Sequence, residues 1–187
     1  RCMVSSTPRR MAQVASVAIE SPIPVLNFRK ALNDNLPAAI RVLSAEEAPA
    51  DFHARRSALA KTYRYILYRG EICPPFLARY VCHHPYPLDE DKMTEAAGVV
   101  AGEHDFTSFA ASSGSEDVDQ DRLTRRTIYQ SVMLACGQAS AAPPADLLPG
   151  DLPWPLPGPD EWVYAIRGKS FLRHMVRKIV GALLEVG

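Results

Sequence analysis

The segment SFLRHMVRKIVGALLEVG, residues 170–187, constrains the fold more than any other stretch of the chain. On a helical wheel Phe171, Leu172, Met175, Val176, Ile179, Val180 and Leu183 fill one broad apolar face. A helix with so wide an apolar face has to be buried against a core. Arg173, Arg177 and Gly181 run along the edge of that face at i, i+4 and i+8. Two arginines cannot pair with each other, so each needs an acid, a phosphate or water. Arg173 reads equally well as a residue that snorkels to solvent. Arg177, with apolar residues before and after it, is expected to be better enclosed and functional. A glycine beside them would let another backbone or a ligand approach closely.

The partners of such a helix are visible upstream. Residues 57–69 (SALAKTYRYILYR) alternate as the clearest strand, with Tyr63, Tyr65 and Leu67 on one side and Arg64, Ile66 and Tyr68 on the other. Residues 126–136 and 161–167 read as two further strands, paired antiparallel around an inserted loop. That loop, residues 137–160, holds seven prolines from Pro143 to Pro159, which remove backbone donors and fix φ. Residues 89–102 open with an acidic first turn and continue with Met93, Ala96, Ala97 and Val100, a helix with a favourably charged N-terminus. Nearer the start, alternation predicts strands over 12–20 and 39–45, and an early proline predicts a helix over 24–33. The resulting order is α+β: an antiparallel sheet with helices packed on one face.

Composition narrows the function classes. The 187 residues suffice for one good core or two small lobes, and the formal net charge of zero argues against a strongly basic nucleic-acid binder. No apolar run is long enough to span a membrane and the first residues lack a secretory h-region, so a cytoplasmic location is expected. Cys2, Cys73, Cys82 and Cys136 form no CxxC; Cys73, Cys82, His83 and His84 could be imagined around a metal, but plain reduced thiols fit the spacing better.

A basic and aromatic stretch, DFHARRSALAKTYRYILYRG, interleaves Arg55, Arg56, Lys61, Arg64 and Arg69 with Tyr63, Tyr65 and Tyr68. Aromatic rings can stack on an unpaired base while cations take phosphates. Composition alone favours the plainer account, a tyrosine-rich strand with a solvated basic face. His53 and His104 are, taken singly, expected to be hydrogen-bonded structural residues.

Taken in series, DFHARRSALAKTYRYILY, GEHDFTSFAAS, RLTRRTIY and SFLRHMVRKIVGALLEVG resemble the TruA type of tRNA pseudouridine synthase, over roughly residues 11–187. The resemblance implies an isomerase that converts uridine to pseudouridine in the anticodon stem-loop of tRNA, without metal or organic cofactor, and that works as a homodimer. It implies that Tyr63 stacks on the target base and that Arg177 pairs with a catalytic aspartate; Arg55 and Arg173 are expected to bind RNA. The family's aspartate stands in a motif of the form R-T-D-A-G-V-H-A, just before an M-x-Q-V-A strand. Counting back from Gln13 places that motif on residues 3–10, with Ser5 at the aspartate position and Met3 at the arginine. Serine cannot supply a carboxylate's nucleophilicity or its ion pair near neutral pH. The family also has a lobe upstream of this motif and continues beyond the position of Gly187. Residues 1–10 are therefore expected to be an aberrant segment on a partial synthase domain, whether by a frame change, a misplaced start, or lapse into an RNA-binding pseudoenzyme.

Overall fold

The computed structural model describes residues 13–20, 22–111, 124–135 and 158–187. Residues 1–10 and most of the 137–160 loop lie outside them. The chain divides into two units, one comprising Gln13–Ala58 and the other containing Leu59–Gly187.

Within the larger unit, β1 (Lys61–Tyr68), β2 (Cys82–His83), β3 (Gly102–Asp105), β4 (Arg125–Ala135) and β5 (Glu161–Gly168) form one sheet in the order β2-β1-β5-β4-β3. The tyrosine strand pairs antiparallel with β5 along its whole length, from Lys61 opposite Gly168 to Tyr68 opposite Glu161. β5 in turn pairs antiparallel with β4, as the alternation on either side of the proline-rich loop predicts. The sheet departs from pure antiparallel order at one place, where Leu67 and Tyr68 run parallel to Cys82 and His83. A register shift between Ile128 and Gln130 marks a bulge in β4, opposite the end of β5.

Two helices cover one face. α2 (Glu90–Val99) is capped by the Asp89 carboxylate, which accepts from the Lys92 N–H at 3.0 Å, and it buries Met93 and Ala97. α3 (Met175–Val186) buries Met175, Ile179, Val180 and Leu183. These side chains share one core cluster with Leu67, Ile128, Trp162, Tyr164 and Ile166 of the strands. Burial is worth roughly 1.5–3 kcal/mol for each large apolar side chain, so the face fixes which way β1, β4 and β5 point. One polar pair sits inside it: the Ser131 and Tyr164 hydroxyls are 2.7 Å apart. Burial pushes the Tyr164 phenol up to about 12. Gly168 closes β5 where a Cβ would meet the Thr127 carbonyl and Ile128 Cδ1, both at 2.9 Å.

The smaller unit holds α1 (Val25–Asn35), which starts after Pro24 as its sequence predicts. The strands expected over 12–20 and 39–45 do not form among the described residues. Extended chain becomes a strand only by bonding to a neighbour, and the described part of 12–20 is exposed without a ladder. At Val42 the backbone finds a side chain instead: Asn33 Nδ2 donates to the Val42 carbonyl at 2.9 Å, and the Val42 N–H donates to Asn33 Oδ1 at 2.8 Å. That paired amide does the work of a strand partner for one residue, without a ladder.

Candidate nucleic-acid interface

β1 delivers Tyr63 to the end of the sheet where β5 finishes. Alternation puts Tyr63, Tyr65 and Leu67 on the helix side, and burial rises along that row as far as Leu67. Tyr63 lies beyond the helices' cover and stays 45% exposed. Its ring stands T-shaped against Phe171, with centroids 5.0 Å apart and planes at 81°. An edge-to-face pair holds a ring still and leaves part of it open to a second aromatic ligand.

Phe171 belongs to the short link between β5 and α3, and here the helical-wheel expectation needs correction. His174 takes φ 61°, ψ 2°, the left-handed region, so the helix begins only at Met175. A non-glycine residue there costs about 1–3 kcal/mol. Phe171, Leu172 and Arg173 therefore precede the helix instead of lying on its wheel, although Leu172 still enters the core. Arg173 is exposed, and its carbonyl accepts from the Ala111 N–H at 3.2 Å.

Arg177 is also exposed, against the enclosure expected from its apolar neighbours in sequence. At about 100° per residue it is turned roughly 200° from both Met175 and Ile179, the two residues that enter the core most deeply on either side of it. No buried unpaired charge arises. The glycine one turn further on is equally open: a Cβ at Gly181 would meet nothing within 4 Å. Gly181 is thus not required by any close approach among the described residues.

Arg55 falls in the smaller unit, exposed, where its N–H donates to His53 Nδ1 at 3.2 Å in a turn closed by Ser57 N–H to His53 carbonyl at 2.8 Å. Ser5 lies outside the described residues. Both histidines are tied into backbone bonding, as expected: His104 Nε2 is 2.8 Å from the Ala101 carbonyl, and its ring edges Phe106. The cysteine and histidine group is dispersed. Cys82 is in the core, Cys73 Sγ faces the Pro74 carbonyl, and His83 Nε2 contacts the Gly70 carbonyl at 2.8 Å. Among the described residues no three potential ligands converge on a metal position.

The larger unit thus links Tyr63, Phe171 and Arg173 through the Tyr63–Phe171 contact and two residues of chain, with Arg177 in the first turn of α3. Sequence reasoning put Phe171 on the apolar face of the helix, whereas it packs against the core from the link before it, and passed over Lys178, whose ammonium reaches the carbonyls of Ser108 and Ala110. A lysine on an exposed helix position carries no sequence signal for such a contact.

A family model described as tRNA pseudouridine synthase matches residues 96–187. The chain is 48% identical over 177 residues to tRNA pseudouridine synthase A of Solibacter usitatus, covering 95% of this chain and 64% of that protein. It is 41% identical over 165 residues to tRNA pseudouridine synthase A of Bacillus pumilus, with 88% and 56% covered. For the corresponding protein of Latilactobacillus sakei the identity is 34% over 177 residues, with 95% and 61% covered. The chain therefore spans less than two thirds of the length of each of these relatives.

Proposed function

This chain belongs to the tRNA pseudouridine synthase A family, and on that premise we propose that it binds tRNA through the surface bearing Tyr63, Phe171, Arg173 and Arg177. The reaction of the whole protein would isomerise uridine to pseudouridine in the anticodon stem-loop: the uracil detaches from its sugar, rotates, and rejoins through carbon. No atom is gained or lost, and no cofactor has a task in such a step. The uridine must leave its stack to react, which calls for a ring to receive it. The half-exposed Tyr63 ring, steadied by Phe171, suits that role; stacking contributes about 1–3 kcal/mol per base.

Arg55 and Arg173 are assigned to phosphates. Arg177 is assigned to the ion pair with the catalytic carboxylate. In water such a pair is worth little, about 0–1 kcal/mol, so it gains strength only once docked RNA has excluded solvent from it. In this chain Ser5 stands where that carboxylate belongs, and a hydroxyl carries neither the charge nor the nucleophilicity. We therefore read the chain as one that binds tRNA without turning it over, with residues 1–10 as the aberrant part of an otherwise family-like sequence. A homodimer acting in the cytoplasm is the setting proposed for it.

The observation that carries this reading is the 48% identity over 95% of the chain. Incubation with unmodified tRNA, followed by nucleoside chromatography, tests it. No pseudouridine is expected. Measurable product would overturn the assignment of Ser5 to the aspartate position. The upstream DNA offers a second check: the frame-change account requires an Arg-Thr-Asp motif in one of the three frames just before Met11.

A further inference from the structure

Lys178 has no place in the reading above, yet its surroundings give it one. α3 begins without a side-chain cap and behind a left-handed residue, and the Phe171–Arg173 link is held from the helix side by one backbone bond, from the Met175 N–H to the Leu172 carbonyl at 3.1 Å, with Leu172 in the core. Two further ties come from the 106–111 loop. Lys178 Nζ donates to the Ala110 carbonyl and lies 3.5 Å from the Ser108 carbonyl. The Ala111 N–H donates to the Arg173 carbonyl at 3.2 Å. The loop is a firm anchor: Phe106 is buried, Phe109 and Ala110 pack on the core, and the Asp105 carboxylate accepts from the Thr107 N–H at 3.0 Å and from its hydroxyl at 2.6 Å.

We infer that Lys178 is a positioning residue for RNA binding: through the Ala110 and Ser108 carbonyls it latches the 106–111 loop to α3, and with the Ala111–Arg173 bond it steadies the link that carries Arg173 and sets the Phe171 ring against Tyr63. The inference rests on the tRNA-binding reading. The competing account is that Lys178 simply touches a phosphate. The two differ in salt dependence, because a lysine on a phosphate contributes about one unit to the slope of log affinity against log salt, whereas a latch contributes none.

The test uses the full chain and unmodified tRNA, with binding measured across a salt series for the parent, Lys178→Met, Lys178→Arg and Ala111→Pro. Ala110 is extended at φ −70°, ψ 147°, the conformation favoured before proline, so Ala111→Pro deletes the second tie without changing charge. Lys178→Met and Ala111→Pro should each weaken binding by roughly three- to tenfold, the size of one or two lost hydrogen bonds, with the slope unchanged. Lys178→Arg should bind like the parent. If Lys178→Met melts below the assay temperature, the pair Lys178→Arg and Ala111→Pro decides by the same expectation. A slope lower by about one in Lys178→Met, with Ala111→Pro at parent affinity, would establish a direct phosphate contact and overturn the latch. Parent affinity in both tie-breaking variants would also overturn it. A parent chain that fails to bind tRNA would remove the RNA reading, and the latch with it.

Discussion

The units Leu59–Gly187 and Gln13–Ala58 use similar sequence patterns with opposite results. VASVAI alternates as cleanly as YRYILY, and α1 is as long as α2 within a residue. Yet among the described residues the buried core lies between Leu67 and Leu183, and no residue of the smaller unit is buried. The difference is in neighbours: every residue of β1 has a partner on β5, whereas residues 13–20 join no ladder. Alternation permits a strand, and pairing with burial makes one. An eleven-residue helix with no buried side chain is marginal for the same reason.

This contrast can be broken or sharpened by substitution. Ile179→Ala removes a fully buried side chain of α3 and should cost about 2–5 kcal/mol in denaturant unfolding. Next comes an alkaline limb. The folded Tyr164 phenol is raised to about 12 from an ordinary 10.0, so its contribution is complete below pH 10 and is lost as pH rises from there to about 12. That loss is on the order of 2–3 kcal/mol and should be absent in Tyr164→Phe, read as the pH dependence of thermal melting. Gly168→Ala drives a methyl against the Thr127 carbonyl and should cost about 1–3 kcal/mol. Gly181→Ala has open space around it and should stabilise α3 by up to about 1 kcal/mol. Leu26→Ala in α1, where the side chain is 73% exposed, should fall within about 0.5 kcal/mol of the parent. If it costs as much as Ile179→Ala, the contrast between the units is false.

Long periodic elements were legible because burial writes itself into sequence. The tyrosine strand, the helix with the acidic first turn, and the two strands flanking the prolines follow from period and charge placement alone. β2 and β3, of two and four residues, are too short to carry a period. The strands expected at 12–20 and 39–45 failed because a partner is a property of the fold, and because Asn33 satisfies Val42 locally. Of the site, Tyr63 was found through its strand. The exposure of Arg177 followed from the helical angle between Met175 and Ile179, a signal hidden by counting apolar neighbours along the chain. The break at His174, which moves Arg173 off the helix, had no signal in a segment that is apolar at helical spacing throughout.

The measurement that bears most directly on the account is tRNA affinity across a salt series for the parent chain and Tyr63→Ala. The account predicts binding that weakens steeply with salt, as phosphate contacts require, and a loss of about 1–3 kcal/mol in Tyr63→Ala with the salt slope unchanged, as stacking requires. Binding insensitive to salt, or a Tyr63→Ala variant that binds like the parent, would contradict it.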